Sequence, residues 1–359
     1  MVSALAISGL LGSCNGHADR RGRAMPAQTT ARPRAMWLKG QLHAHTNRSG
    51  DSQTPPERAA AWYARHGYDF LVLTDHNRLG TTSAIGRLLV ARGVELTLNL
   101  DTCMPEERGH PCLLHVNALF ARARAHSEDE VTSIDLPALV RPERRTIFGR
   151  AIDEARRLGA IAQINHPNFH YAASGALLAE LARRGARLVE VANEASDSNN
   201  AGDATHPSTE ALWDDALSRG APLYATATDD AHHYDDAAEA RARGEEVFTG
   251  DRGFVMVRSR ERTLDAIRAA IERGDFYASN GVVLDDVQRT DGTLHVTVAP
   301  STDSPTIAFI GRGGRELERI SARTASYRAR ADDYVRATVT DRAGRKAWTQ
   351  PVRATREAR

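Results

Sequence analysis

The sequence predicts an α/β fold. Parallel strand–helix units close, or nearly close, into a barrel, and a small C-terminal all-β, sandwich-like module follows. Three observations lead there. From Met36 to about Asn280, short apolar runs of strand length alternate with stretches of helical period. Those runs are almost wholly apolar, as expected of parallel strands covered by helices on both faces. After Asn280 the helical period disappears and short segments separated by turn residues take over.

The elements follow in order. "MWLKGQLHAH" alternates in part and is the first strand. "PPERAAAWYARHG" opens on proline, closes on glycine and carries apolar residues at helical spacing, so it is a helix. "YDFLVLTDHN" is a second strand. "GRLLVARG" suggests a helix, followed by the short strand "VELTL" and the strand-like "CLLHVNALF". Helices are then expected at "RRTIFGRAIDEARRLG", "GALLAELARRG", "STEALWDDALSRG" and "ERTLDAIRAAIERG", with strands "AIAQINHP", "RLVEVAN" and "PLYATATDDAHH" between them. About seven units fit, which favours a barrel over a doubly wound sheet. No glycine-rich dinucleotide or phosphate loop follows any strand, so a nucleotide-cofactor fold lacks its signature. "LHVTVAP", "TIAFIGRGG", "ASYRAR" and "YVRATVTDRAG" are the strands of the terminal module. The domains expected are 1–35, a signal and tether; 36–284, the barrel; and 285–359, the β module.

Composition narrows the function. The 359 residues are 41% hydrophobic and 26% charged with a net charge of +1, which is ordinary for a globular protein and lacks a nucleic-acid footprint. Only Lys39 and Lys346 are lysine; the arginines are scattered. The opening "MVSALAISGLLGSCNG" resembles a bacterial lipoprotein signal, with Leu11-Gly12-Ser13-Cys14 in the lipobox positions. Its apolar run is too short to span a bilayer. The expectation is lipidation at Cys14 and export to the periplasmic or extracellular face on a flexible, Arg/Ala/Pro/Thr-rich tether, with no other membrane contact. The spacing of Cys103 and Cys112 permits a disulfide without demanding one.

The strand ends carry the chemistry. The first ends at His43 and His45, the second at Asp75 and His76. The next two carry Glu95 and His115. "QINHP" ends at His166, and "TATDDAH" at Asp230 and His232. In a parallel barrel these ends share one face, where active sites are built. The i, i+2 spacing of His43 with His45, and of Asp230 with His232, puts each pair on one side of its strand. Histidines and carboxylates converging from so many strands, without cysteine, point to two or three divalent transition-metal ions, namely Zn, Mn or Fe. Arg78 and Asn168 follow two of the motifs and are candidate contacts for an anionic substrate. Asp230 is the candidate proton acceptor.

These residues also carry a resemblance. His43-x-His45, Thr74-Asp75-His76, Glu95, His115, His166-Pro167 and Asp230-Ala231-His232 match in order the motifs of the PHP (polymerase and histidinol phosphatase) superfamily. "WLKGQLHAH", "WYARHGYDFLVLTDHN" and "ATDDAHHY" look like its carbaryl-hydrolase-like (CehA/McbA) branch, over roughly residues 36 to 285. The resemblance implies a distorted seven-stranded (β/α) PHP barrel. It places one ion on His43, His45, Glu95 and Asp230, and a second, bridged by Glu95, on His115 and His166. A third falls to Asp51, His76 and His232. Many relatives read Ser-Asp-Gly where this chain reads Ser49-Gly50-Asp51. The implied activity is metal-dependent hydrolysis of a small-molecule phosphoester or carbamate/carboxylic ester. The competing class is a non-catalytic metal-containing binding protein on the same barrel.

Overall fold

The computed structural model describes residues 35–80, 83–123, 132, 142–330 and 333–354. Residues from Ala35 onward form one compact unit. Cys14 and the tether lie outside the described residues. Among those described, no helix is long and apolar enough to cross a membrane.

The first half is a run of seven hydrogen-bonded strands. They are β1 (Met36–Gln41), β2 (Phe70–Leu73), β3 (Leu89–Leu100), β4 (Cys112–Leu119), β5 (Ile161–Ile164), β6 (Leu188–Asn193) and β7 (Tyr224–Thr228), adjacent in that order. β1, β2 and β3 are parallel, as are β5, β6 and β7. Gly40 makes the first contact possible: a Cβ there would stand 1.9 Å from Phe70 Cζ, across the register pair Gly40↔Phe70. No ladder joins β7 to β1. The chain just past each strand pairs instead, through the bridge Ala44↔Ala231, with Asp230 N donating to His43 O and His45 N to Ala231 O.

Helices cover the outside of the run. The helix α1 (Pro56–Arg65) starts on proline, and α2 (Arg144–Arg157), α3 (Gly175–Arg184) and α4 (Thr209–Ser218) follow as the periodicity predicts. The buried residues Ile147, Ile152, Leu178, Leu181, Trp213 and Leu217 of α2–α4 pack on Val116, Ile164 and Val189 of the strands. Ser174 and Ser208 cap α3 and α4, each accepting from a backbone amide three residues on.

Two expectations need correction. The helix expected at "GRLLVARG" is not formed: Leu89–Arg92 pair with Phe70–Leu73 as the first part of the long strand β3. An eight-residue apolar stretch is too short to hold a helix against an open parallel edge. The run is also not uniformly parallel, since β4 is antiparallel to both β3 and β5. The β3–β4 turn is tied by a Cys103–Cys112 disulfide with Cα atoms 5.7 Å apart.

The C-terminal strands extend this sheet and add a second one. β8 (Phe254–Ser259) and β9 (Phe276–Ser279) flank α6 (Leu264–Glu272) after the short α5 (Ala237–Ala242); β8 runs antiparallel beside β1, and β9 antiparallel beside β8. The strands β12 (Thr306–Gly311), β13 (Arg315–Ile320), β15 (Tyr334–Thr340) and β16 (Lys346–Thr349) continue this same sheet through a β16–β9 pairing. Only β10 (Leu284–Thr290), β11 (Thr293–Val298) and β14 (Thr324–Arg328) form a separate antiparallel sheet. Both sheets share one core, with Leu294 and Val296 from one and Ile307, Phe309, Val335 and Val339 from the other.

A buried ion pair fastens the terminal strands to α4. Arg336 reaches both oxygens of Asp214, at 2.7 and 2.6 Å, and Tyr334 OH donates to the same carboxylate at 2.9 Å. Arg336 and Asp214 are 2% and 4% exposed, so neither charge can be rehydrated if its partner is lost. Asp214→Ala should therefore cost about 3–5 kcal/mol in urea unfolding; a cost below about 1 kcal/mol would show that the pair does not hold the terminal strands in place.

Candidate metal centre

The first two histidines leave β1 through a backbone turn fixed by Gln41. Its side-chain oxygen accepts from the amides of Leu42 and His43, and its nitrogen donates to Gly253 O at 2.8 Å. Asp75, at the end of β2, organises the next loop, accepting from Thr46 N, Thr46 Oγ1 and Ser49 Oγ at 2.7–2.9 Å. Asp75 therefore holds the loop that carries the donors and is not itself among them.

The donors converge in three groups. His43 Nε2, His45 Nε2 and Asp230 Oδ1 form a triangle with edges of 3.1, 3.2 and 3.1 Å. Glu95 Oε1, His115 Nδ1 and His166 Nε2 form a second, with edges of 3.2, 3.5 and 3.3 Å. Glu95 Oε1 is also 3.3 Å from His43 Nε2, so this carboxylate stands between the two triangles. In the third group, Asp51 Oδ2 lies 2.9 Å from His76 Nε2 and 3.2 Å from His232 Nε2, with His45 beside them. Ser49-Gly50-Asp51 therefore still brings its carboxylate to the site. Donors about 2.0–2.1 Å from a tetrahedral ion stand roughly 3.3–3.4 Å from one another; the second triangle brackets that spacing and the first is slightly tighter.

The far nitrogens of five of the six imidazoles are held by oxygen, while Nδ1 of His166 is buried without a partner. His43 Nδ1 meets the buried Glu190 at 2.8 Å, and His45 Nδ1 meets Ser49 Oγ at 2.9 Å. His76 Nδ1 meets Thr97 Oγ1 at 2.6 Å, His115 Nε2 meets Asn99 Oδ1 at 2.9 Å, and His232 Nδ1 meets Asp230 O at 2.8 Å. Each contact leaves the opposite ring nitrogen turned to the centre, the arrangement of metal-ligating histidines. Glu190 also accepts from His166 N, Asn193 and Thr228. His166 and Asp230 sit at left-handed φ of 23° and 51°, a conformation that costs non-glycine residues of order 1–3 kcal/mol and concentrates at functional sites.

The electrostatics call for cations. Burial alone would lower His43, but Asp230, Glu190 and Glu95 outweigh it and hold it well above its ordinary range. Burial is likewise overcome at His76, which Glu95 and Asp51 push up to about 10. His166 and His232 are raised in the same way, against burial, by neighbouring carboxylates. His45 is lowered by burial, with His232 and His76 adding, and His115 is lowered by burial despite Glu95. Against the penalty of burial, the imidazoles hold Glu95 and Asp230 well below the carboxylate range. Glu95 Oε2 is buried without an aligned hydrogen-bond donor, although His76 Nδ1 is 2.8 Å away. A carboxylate oxygen left so among bare lone pairs is what a divalent cation satisfies. The residues present thus fit metal ions.

Two expected substrate contacts stand elsewhere. The side-chain amide of Asn168 donates to Asn199 O and Pro207 O and borders a separate hollow of about 830 Å³. The Arg78 side chain does not line the cavity over the centre. That cavity, of about 120 Å³, opens between Phe169 and Phe248, and its wall includes Asn193 and Asp197.

No family model and no curated protein matches this chain. Among solved structures, the chain is similar to a two-domain protein from Bacteroides vulgatus containing a predicted PHP-like metal-dependent phosphoesterase. Identity is 17%, with 90% of this chain and 88% of that one covered at a TM-score of 0.45. It is also similar to an amidohydrolase from Chromobacterium violaceum with bound sulfate and no metal. There identity is 15%, with 54% of this chain and 87% of that one covered at a TM-score of 0.33. At this similarity the geometry of the site carries the chemistry.

The pKa directions set a pH test. A histidine raised in the folded state stabilises the metal-free protein fully below its unfolded value of about 6.5, and that contribution is lost as pH rises through the folded value. His45 and His115 act in the opposite sense but are outnumbered by His43, His76, His166 and His232. Chelator-stripped protein should therefore lose Tm between pH 6 and pH 10, up to the His76 value of about 10. Metal-loaded protein should gain Tm from about pH 5 to pH 7, because its ligands must shed protons to bind. Parallel pH profiles for the two forms in differential scanning calorimetry would remove the metal from this centre.

Proposed function

We propose that the protein is a metal-dependent hydrolase of the PHP type that cleaves a small-molecule phosphoester or a carbamate or carboxylic ester. The observation that carries this reading is Glu95, whose Oε1 lies 3.3 Å from His43 Nε2 and 3.2 Å from His115 Nδ1. One carboxylate is thus shared by two donor triangles. We assign two ions to these triangles and a third to Asp51, His76 and His232, with Zn, Mn or Fe suited to the mixed imidazole–carboxylate set. Ions held there supply Lewis acidity and bring the pKa of a bound water near neutrality, to about 7 for a single Zn. Asp230, in the cavity wall, takes the proton of the attacking water. Asn193 holds Asp230 in place through a 3.0 Å hydrogen bond. The complete donor set under an open cavity supports catalysis over a purely binding role.

Measuring turnover and metal content in Glu95→Gln beside His232→Ala tests the shared carboxylate. The glutamine keeps size and one oxygen but removes the charge that offsets paired cations. Activity on aryl phosphates, phosphodiesters, aryl acetates and aryl carbamates should fall about 10³-fold or more. His232→Ala should cost less and recover in part with excess metal. Near-wild-type turnover in Glu95→Gln would dispose of the dinuclear reading.

We further propose that Cys14 is lipidated and anchors an exported protein. The Cys103–Cys112 disulfide supports an oxidising compartment. Cys14→Ala should move the protein from the membrane to the soluble fraction; an unprocessed cytosolic wild type would contradict this.

A further inference from the structure

Ester hydrolysis needs two proton movements, and the residues around the metal donors account for one. Asp230 receives the proton of the attacking water. Its Oδ1 is then turned to His43 and His45, at 3.2 and 3.1 Å, and its Oδ2 accepts from Asn193. The departing oxygen must be protonated by something else. In the cavity wall the remaining polar side chains are few. Ser198 Oγ donates to Asn193 O and Ala195 O, and the Asn193 amide is engaged by Glu190 and Asp230. Phe169 and Phe248 offer no proton. What is left is Asp197, in the loop between β6 and α4, exposed at the rim of the cavity. Among the described residues its carboxylate has no ion-pair partner, so nothing ties it to a structural task.

We propose that Asp197 is the catalytic proton donor of this site, delivering its proton to the departing oxygen as the ester bond breaks. The role rests on the hydrolytic reading above. The step balances with the groups of the site and the attacking water. The attacking water gives its oxygen to the ester carbon or phosphorus and one proton to Asp230. The bond to the leaving oxygen breaks, its electron pair stays on that oxygen, and the oxygen takes the Asp197 proton. The proton held by Asp230 then passes by water to Asp197, and both carboxyl groups are restored.

In the metal-free protein the neighbours of Asp197 favour its protonated form relative to a free aspartate. Although the residue is exposed, its carboxyl is partly desolvated, which is the largest influence and raises its pKa. The charges of Asp230, across the cavity, and of Glu246 act in the same direction, while its own backbone amide and His166 oppose them. Glu246 is itself hydrogen-bonded by Ser196.

The test compares wild type with Asp197→Asn across aryl and alkyl esters of graded leaving-group acidity, drawn from acetates, carbamates and phosphates. With 4-nitrophenol leaving, which needs no proton, the two should agree within a few-fold. With phenol or an alkyl alcohol leaving, Asp197→Asn should lose about 10²–10⁴-fold, and the alkaline limb of the kcat/KM profile should vanish. Metal content should not change. A second readout is independent of turnover. In metal-loaded protein labelled at the aspartate carboxyl carbons, the resonance missing from Asp197→Asn should titrate above the ordinary value of about 3.9. A loss equal for all leaving groups, no loss at all, or a titration at or below the ordinary value overturns the role of Asp197 alone. A wild type inert toward the whole series overturns the hydrolytic reading, and this role falls with it.

Discussion

A fully buried carboxylate is costly unless it is paired and hydrogen-bonded, and Glu95 is 1% exposed. Its compensation is the arrangement around it: imidazoles of His43, His45, His76, His115 and His166 within 3.5 Å, and the amide of Asn165 at 2.7 Å. Five separate stretches of chain must be in place before that charge is accommodated. The strand order, the bridge between Ala44 and Ala231 and the left-handed backbone at His166 all serve to bring them there. The site is therefore not an ornament on a stable fold; assembling it and assembling the strand ends are one event.

A second layer carries the orientation. Glu190 lies in the interior with no exposure and touches no donor group except His43, yet it also accepts from His166 N, Asn193, Gln163 and Thr228. It thereby links β1, β5, β6 and β7 through one carboxylate. Loss of such partners weakens metal binding by about 10–100-fold in other metal sites, which ranks Glu190 with the ligands in importance.

How much of this was legible in the sequence depended on residue type. His43 with His45, and Asp230 with His232, announce themselves by their spacing at the end of an apolar run, and the geometry gathers them. Glu190 does carry a signal, a lone charge inside the largely apolar strand "RLVEVAN". Ser49, Thr97 and Asn99 gave none, because hydroxyls and amides occur in every loop and strand. Strand direction was hidden as well. An apolar run reads the same in either sense, so nothing in "CLLHVNALF" distinguishes the antiparallel β4 from a parallel strand. The β16–β9 pairing that makes the terminal strands part of the main sheet is a long-range contact with no local signature. Arg78 and Asn168 stand next to motifs in sequence, and that neighbourhood does not bring either into the wall of the cavity.

The disulfide at the tip of β3–β4 has a consequence for the centre some distance away. Glu95, Thr97 and Asn99 project from one face of β3, and His115 and Asn117 oppose them on β4 with Glu95↔Asn117 and Thr97↔His115 in register. A slip of one residue along this hairpin would turn the whole row to the opposite face, carrying a shared ligand and its neighbour out of the site together. Cys103 and Cys112 clamp the hairpin where its strands diverge. The covalent bond thus works as an indexing pin: it stores, in a place remote from the chemistry, the information about which side of two strands faces the candidate centre.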